Sequence, residues 1–424
     1  MIKYLETIVN ILFTNQYTKI LLAIIAGLGI FMGINLTHDS FAYMEGANNI
    51  LNGRGLVVNC NLLSASAFQP LYSYLMIPFI YILGYSAKAI ITFHFFLFLV
   101  TYFIYDRLLS NGSNGINPIV KYFSIIILIY PYFTILLSES LLIALLGLYL
   151  NILFYFKGRQ VFKFSLIIFL LAAIFLTKNS ALLIIIPIHL SLIEFKKENW
   201  FRYYFKNAVI LGTIVVTFLI IKILLGSVDS HPFVFGGGLY PIKTYLIQIL
   251  RDMSVWIFGR SVMHFLSDSG YGIYFNLISI LIIIFIFVKS EINSKSKYLL
   301  FLLYATLIHL FVFSNVAIDS ELDGRFLFWF NFVFIFVLIS ETHKQKFFKV
   351  LFAFIVVINC ANITYSRYKT FKPYNLKDVV MKFNYNLDSK PFFTDKIRYP
   401  SLIYDNKTLK YIIQSPAYPS MIDN

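Results

Sequence analysis

Long apolar segments dominate this chain and decide what it can fold into. A membrane-spanning helix needs about 20 mostly apolar residues, and about eleven segments approach that requirement. They are residues 20–36, 86–105, 118–135, 138–156, 164–176, 180–194, 207–225, 271–288, 298–315, 326–340 and 347–363. Only 13% of residues are charged, against about 25% in soluble proteins, so a soluble core could not absorb this apolar surface. The sequence therefore predicts an all-α, multi-pass membrane protein.

The distribution of basic residues predicts how the chain crosses the membrane. Lysine and arginine concentrate in alternate short loops, which the positive-inside rule assigns to the cytoplasm. We expect a cytoplasmic N-terminus and a working face on the outside, at the plasma or inner membrane. The net charge of +15 then reflects loops that meet anionic lipid headgroups, and nucleic acid is not an expected partner.

The same orientation divides the chain into two regions. Residues 1–363 form the predicted transmembrane domain, whose large loops, 37–85 and 226–270, lie outside together with short juxtamembrane helices. Residues 364–424 form a small external C-terminal region. Cys60 and Cys360 both fall toward the outside, so a disulfide between them is one interpretation; their spacing fits no metal site.

A polar stretch, 38–56, follows the first apolar segment directly and contains Asp39. A carboxylate at the rim of a bilayer is costly to desolvate, so an acid there is a functional-site hypothesis by default. The alternative is that Asp39 caps the helix that follows it. Tyr43 lies four positions further on and shares a helix face with Asp39, so it would either contact the sugar or simply sit at the membrane interface. Glu45 lies on a different face.

Four short motifs occur in order on the predicted external side. The first runs from Asp39 and Tyr43 through Ala47, Ile50-Leu51 and Gly53-Arg54-Gly55-Leu56 to Pro70-Leu71-Tyr72 and Gly84. The others are Ser138-Glu139-Ser140, Leu176-Thr177-Lys178 and Asp323-Gly324-Arg325-Phe326-Leu327. Together they resemble the GT-C superfamily of glycosyltransferases, in particular the bacterial dolichyl-phosphate-mannose and aminoarabinose transferase type.

That resemblance implies a fold and an activity. Such enzymes take a hexosyl or pentosyl group from a polyprenyl-phosphate carrier outside the cytoplasm and pass it to a lipid, protein or glycan acceptor. An acid in the first external loop is their presumed general base, which here is Asp39. The protein-mannosylating branch has Asp-Glu where this chain has Asp39-Ser40, so a lipid or glycan acceptor is expected. No cofactor is certain, although Asp39 and Glu139 are candidates to share a divalent metal.

The remaining candidates would bind substrate. Arg325 and Lys178 are placed to neutralise a phosphate leaving group, although Arg325 has acidic neighbours to pair with and Lys178 could simply snorkel to the interface. Glu139 is either a second active-site acid or an acid favoured by the dipole of a helix start. His231 and Tyr240 would line a sugar or acceptor site, unless they only pack their loop.

Two other functions share some of these features. An O-antigen or capsule polymerase also has many helices and a large external loop, but gives no reason for an acid immediately after the first helix. A non-enzymatic carrier or flippase for lipid-linked glycans predicts charged residues near the bilayer midplane. The predicted spans are mostly Ile, Leu and Phe there, which favours the enzyme.

Overall fold

A computed structural model gives the fold of the chain over the residues that can be described. These are 16–31, 38–53, 55–56, 70–112, 118–133, 138–178, 181–182, 185–186, 200–224, 271–289 and 346–371. Within these ranges the secondary structure is helical, with no strand. The all-α part of the predicted fold is confirmed over this part of the chain.

Ten helices are described: eight overlap predicted apolar segments, with ends that differ by up to eight residues, and two lie within the predicted loop 37–85. They are α1 Gln16–Phe31, α2 His38–Leu51, α3 Pro70–Leu83, α4 Ala87–Gly112, α5 Pro118–Phe133, α6 Glu139–Tyr155, α7 Gln160–Thr177, α8 Trp200–Leu224, α9 Gly272–Lys289 and α10 Lys346–Phe371. The segments predicted at 298–315 and 326–340, and most of 180–194, lie outside the described residues. So does the tail beyond residue 371.

Helix α4 is central, packing against α1, α3, α5 and α6. It runs antiparallel to α1, because Phe31 at the end of α1 contacts Phe95 while Lys19 near its start pairs with Asp106. It runs parallel to α6, where the Asn151 amide donates to the Ile104 carbonyl at 2.9 Å.

Two described helical segments, Lys88–Ser110 and Gln160–Thr177, are long and apolar enough to cross a membrane. Several helices also carry apolar stripes on their outer faces at a spacing of three and four residues. These stripes are Leu21, Ile25 and Leu28 on α1, Phe96, Val100 and Phe103 on α4, and Val350, Phe354 and Val357 on α10, all exposed. Continuous apolar faces of this kind are typical of surfaces that meet lipid.

Three features refine the predicted elements. Residues 70–83 form one continuous helix despite Pro78, although a proline inside a helix ordinarily kinks or breaks it. The segment predicted as the first external loop contains helix α2, which ends at Leu51, and Gly53 just beyond it adopts a positive φ of 73°. Helix α7 ends at Thr177, and Lys178 is extended, so the predicted break in the apolar stretch 164–194 is present.

Candidate active site

The candidate site lies at the end of the bundle where α4 and α6 begin and α5 and α7 end. Its centre is the segment Ser138-Glu139-Ser140 at the start of α6, and all three side chains are buried. Ser138 occupies the N-cap position, but its side chain makes no capping hydrogen bond. The three polar groups instead contact three other helices or helix ends.

Ser138 connects α6 to α2. The Tyr43 hydroxyl donates a hydrogen bond to Ser138 Oγ at 2.9 Å, and Tyr43 is 93% buried in the packing between α2 and α3. Ser73 on α3 donates to the Tyr43 carbonyl at 2.9 Å. Tyr43 is thus a buried contact between α2 and α6, and its role in binding a sugar stays a prediction.

Glu139 connects α6 to the end of α7. Its Oε1 accepts from Lys178 Nζ in an ion pair between residues 39 apart in sequence. The Glu139 side chain is 5% exposed and that of Lys178 is 20% exposed. A buried carboxylate is costly unless it is paired, so Lys178 compensates Glu139 and neither merely projects toward solvent. Both candidates belong to one ion pair.

Ser140 connects α6 to α3 and α4 through Tyr72. The Ser140 side chain hydrogen-bonds to Tyr72, whose hydroxyl also hydrogen-bonds to His94 Nε2 on α4. Burial raises the pKa of the Tyr72 phenol well above its usual range, so Tyr72 remains protonated. The Tyr72 ring also packs edge-on against Tyr43 with centroids 5.0 Å apart, which joins the two halves of the network.

Asp39 is the second residue of α2, one helical turn before Tyr43. Since α2 begins at His38, Asp39 lies in the first turn and not at the capping position ahead of it. An acid in the first turn is favoured by the helix dipole. The Asp39 side chain itself lies outside the described residues, as do Arg325, His231 and Tyr240. Their predicted roles stay predictions.

A metal centre is not assembled by the part of the chain that the structure describes. No group of three or more His, Cys, Asp or Glu side chains could hold an ion there. Because the side chain of Asp39 is not among those described, the predicted sharing of a divalent metal by Asp39 and Glu139 stays a prediction. Cys360 carries a free thiol, and Cys60 lies outside the described ranges.

The sequence did not predict the roles of Ser138, Ser140, Tyr72 and His94. Ser138, Ser140 and Tyr72 belong to the motifs that carry the resemblance, but the motifs do not predict which side chains they contact. His94 lies in the middle of the apolar segment 86–105, whose other ionisable side chain apart from tyrosines, Lys88, stands at its beginning. An ionisable residue inside such a segment is itself a functional signal, and that signal would have found it.

No protein-family model, curated protein or solved structure matches this chain.

Proposed function

We propose that this protein is a multi-pass membrane glycosyltransferase of GT-C type. It would transfer a sugar from a polyprenyl-phosphate carrier to a lipid or glycan acceptor on the external face. Asp39 would act as the general base. The single observation that carries the proposal is the Glu139–Lys178 ion pair, which lies beside the helix whose first turn contains Asp39 and is joined to it by the Tyr43–Ser138 hydrogen bond.

The proposed reaction is a displacement at the anomeric carbon. The acceptor hydroxyl attacks that carbon while Asp39 takes its proton, and the bond from carbon to the phosphate oxygen breaks. The polyprenyl phosphate leaves with the bonding electrons, and the configuration inverts. A general base of this kind contributes about 10²- to 10⁴-fold to the rate.

The departing phosphate gains negative charge, so a cation must lie beside it. Lys178 supplies one such cation at the end of α7, where its side chain is 20% exposed. Arg325 is the second proposed cation because its planar fork suits bidentate contact with phosphate. Glu139 would hold the Lys178 ammonium in place before the donor binds. After binding, its carboxylate would accept hydrogen bonds from hydroxyl groups of the sugar.

Membrane placement is supported by the helix faces and by the distribution of charge. The outer stripes of α1, α4 and α10 are apolar, whereas the buried polar network lies inside the bundle at one end. The opposite end carries Lys19 and Lys121, which fits a cytoplasmic assignment under the positive-inside rule. Both the multi-pass topology and the orientation belong to this proposal.

The experiment is sugar transfer by the purified protein in lipid vesicles. Radiolabelled polyprenyl-phosphate hexoses and pentoses are offered with a membrane lipid extract, and organic-phase product and released polyprenyl phosphate are measured together. The proposal requires both to appear in equal amounts with at least one donor. Donor hydrolysis without transfer, or no turnover with any donor, would contradict it.

A further inference from the structure

A second charged cluster lies at the opposite end of the bundle from the candidate active site. Asp106 near the end of α4 pairs with Lys121 on α5 at 2.7 Å and with Lys19 on α1 at 3.8 Å. Twelve residues of helix separate His94 from Asp106, which corresponds to about 18 Å along α4. The two clusters are therefore independent sites.

The cluster holds two positive charges and one negative charge contributed by three different helices. Lys121 also donates to Ser110 Oγ at 2.8 Å, so its ammonium is well satisfied. Among the residues that the structure describes, Lys19 is held only by the longer contact to Asp106, and its ammonium has three donor hydrogens. The starts of α1 and α5 lie at the same end, and the positive ends of their dipoles add to the attraction for an anion.

The surroundings of the cluster are apolar and aromatic. Leu22, Tyr102, Pro118 and Tyr122 surround the three charged residues where α1, α4 and α5 meet. The Tyr122 hydroxyl donates to the Leu22 carbonyl at 3.2 Å, which links α5 to α1 beside the cluster. A cationic patch that adjoins apolar side chains at the end of lipid-facing helices suits an amphiphile with an anionic head.

We infer that Lys19 and Lys121 bind the phosphate of an anionic phospholipid, with Asp106 setting the affinity by neutralising part of their charge. Lys19 makes the main contact, because Lys121 is already bonded to Asp106 and Ser110. This site goes beyond the proposed glycosyl transfer and rests on it only for the membrane placement.

The test is lipid binding by the purified full chain in nanodiscs. Phosphatidylcholine nanodiscs are titrated with phosphatidylglycerol, and bound lipid is counted by native mass spectrometry after release. Lys19→Gln should bind phosphatidylglycerol about tenfold more weakly, as loss of one charge-assisted hydrogen bond predicts. Lys88→Gln is the matched control, because Lys88 is exposed at the other end of α4, and should bind like wild type.

The variant Asp106→Asn distinguishes a lipid-binding site from an ion pair that only holds the helices together. If the lysines bind phosphate, removing the carboxylate frees their charge and should tighten phosphatidylglycerol binding about tenfold. If Asp106 only clamps the helices, binding is unchanged or weaker, and the inference fails. It also fails if Lys19→Gln binds phosphatidylglycerol like wild type. A third contradicting result would be that inorganic phosphate displaces phosphatidylglycerol from the protein at the concentration at which phosphatidylglycerol itself binds.

The outcome is independent of the glycosyl-transfer proposal. Lys19→Gln should keep its sugar-transfer rate within about twofold when lipid is saturating, because the two clusters lie about 18 Å apart along α4. Conversely, an inactive Asp39→Asn protein should bind phosphatidylglycerol like wild type. Loss of one property with retention of the other shows which proposal has failed.

Discussion

Lys178, the residue that follows α7, forms an ion pair with Glu139, the first residue of α6. The contact joins the end of one helix to the start of its antiparallel neighbour, and it is mostly buried. A buried pair is neutral overall only while both partners are present. The same pair therefore stabilises the bundle and holds a cation at the candidate site.

Removing either partner of this pair should destabilise the protein and reduce transfer. Glu139→Gln leaves the Lys178 ammonium without its counter-charge, and Lys178→Gln leaves a buried carboxylate. Each should cost about 3 kcal/mol of unfolding free energy, at the lower end of the range for buried pairs because Lys178 retains some exposure. Unfolding of the purified protein in mixed micelles, titrated with SDS, measures this cost.

The double variant Glu139→Gln/Lys178→Gln is the control for charge compensation. Its destabilisation should be smaller than the sum of the two single effects, because no charge is left without a partner. Strictly additive losses would show that the two side chains do not interact in the membrane. Transfer should remain low in the double variant, since the cation for the leaving phosphate is absent.

Tyr43→Phe tests the contact between α2 and α6. The variant keeps the ring and its packing against Tyr72 but loses the hydrogen bond to Ser138. We expect a loss of about 1 kcal/mol in stability and a lower transfer rate, because α2 carries Asp39. Tyr74→Phe, on an exposed position of α3, is the matched control and should change neither. Equal behaviour of the two variants would refute the positioning role.

The Tyr72–His94 bond should be the most strongly coupled neutral contact of the site. Tyr72→Phe leaves His94 Nε2 without this partner and should cost about 1–3 kcal/mol. His94→Phe should cost less, because the Tyr72 hydroxyl keeps its hydrogen bond to Ser140. The double variant Tyr72→Phe/His94→Phe should recover part of that cost. A thermal-unfolding cycle of the four proteins measures the coupling, and a coupling energy of zero would mean that the bond does not form.

Sequence patterns predicted where one helix ends and the next begins better than they predicted the contacts inside the bundle. The break at Lys178 was predictable because Thr177-Lys178-Asn179 interrupts an apolar stretch too long for one span. The continuity of α3 through Pro78 was not predictable. Tertiary packing of α3 against α2, α4 and α7 outweighs the tendency of proline to break a helix. Packing energies of this kind do not appear in a one-dimensional pattern.

The candidate site shows the same division. The external side assigned to Glu139 and Lys178 was enough to predict that they could serve one site, but not that they pair with each other. His94, Tyr72 and Ser140 meet only because three helices cross at one point. The apolar periodicity of each helix says which face is buried and leaves open which neighbour covers it.

Gly147 on α6 packs directly against α4. A Cβ atom added there would lie 2.7 Å from Tyr105 Cε2 and 2.8 Å from Ile104 Cγ2. Gly147→Ala should therefore cost about 1–3 kcal/mol through overpacking. Gly212→Ala on α8 meets nothing within 4 Å and should stabilise its helix by up to about 1 kcal/mol. Opposite signs in SDS titrations would confirm the close contact, and equal shifts would contradict it.

The most direct test of the central claim compares Asp39→Asn with Glu45→Gln in the sugar-transfer assay. Both changes remove one carboxylate from α2, but Glu45 does not share a helix face with Asp39. If Asp39 is the general base, Asp39→Asn should lower the transfer rate by about 10²- to 10⁴-fold at unchanged donor binding, while Glu45→Gln stays near wild type. Undiminished transfer by Asp39→Asn would contradict the account.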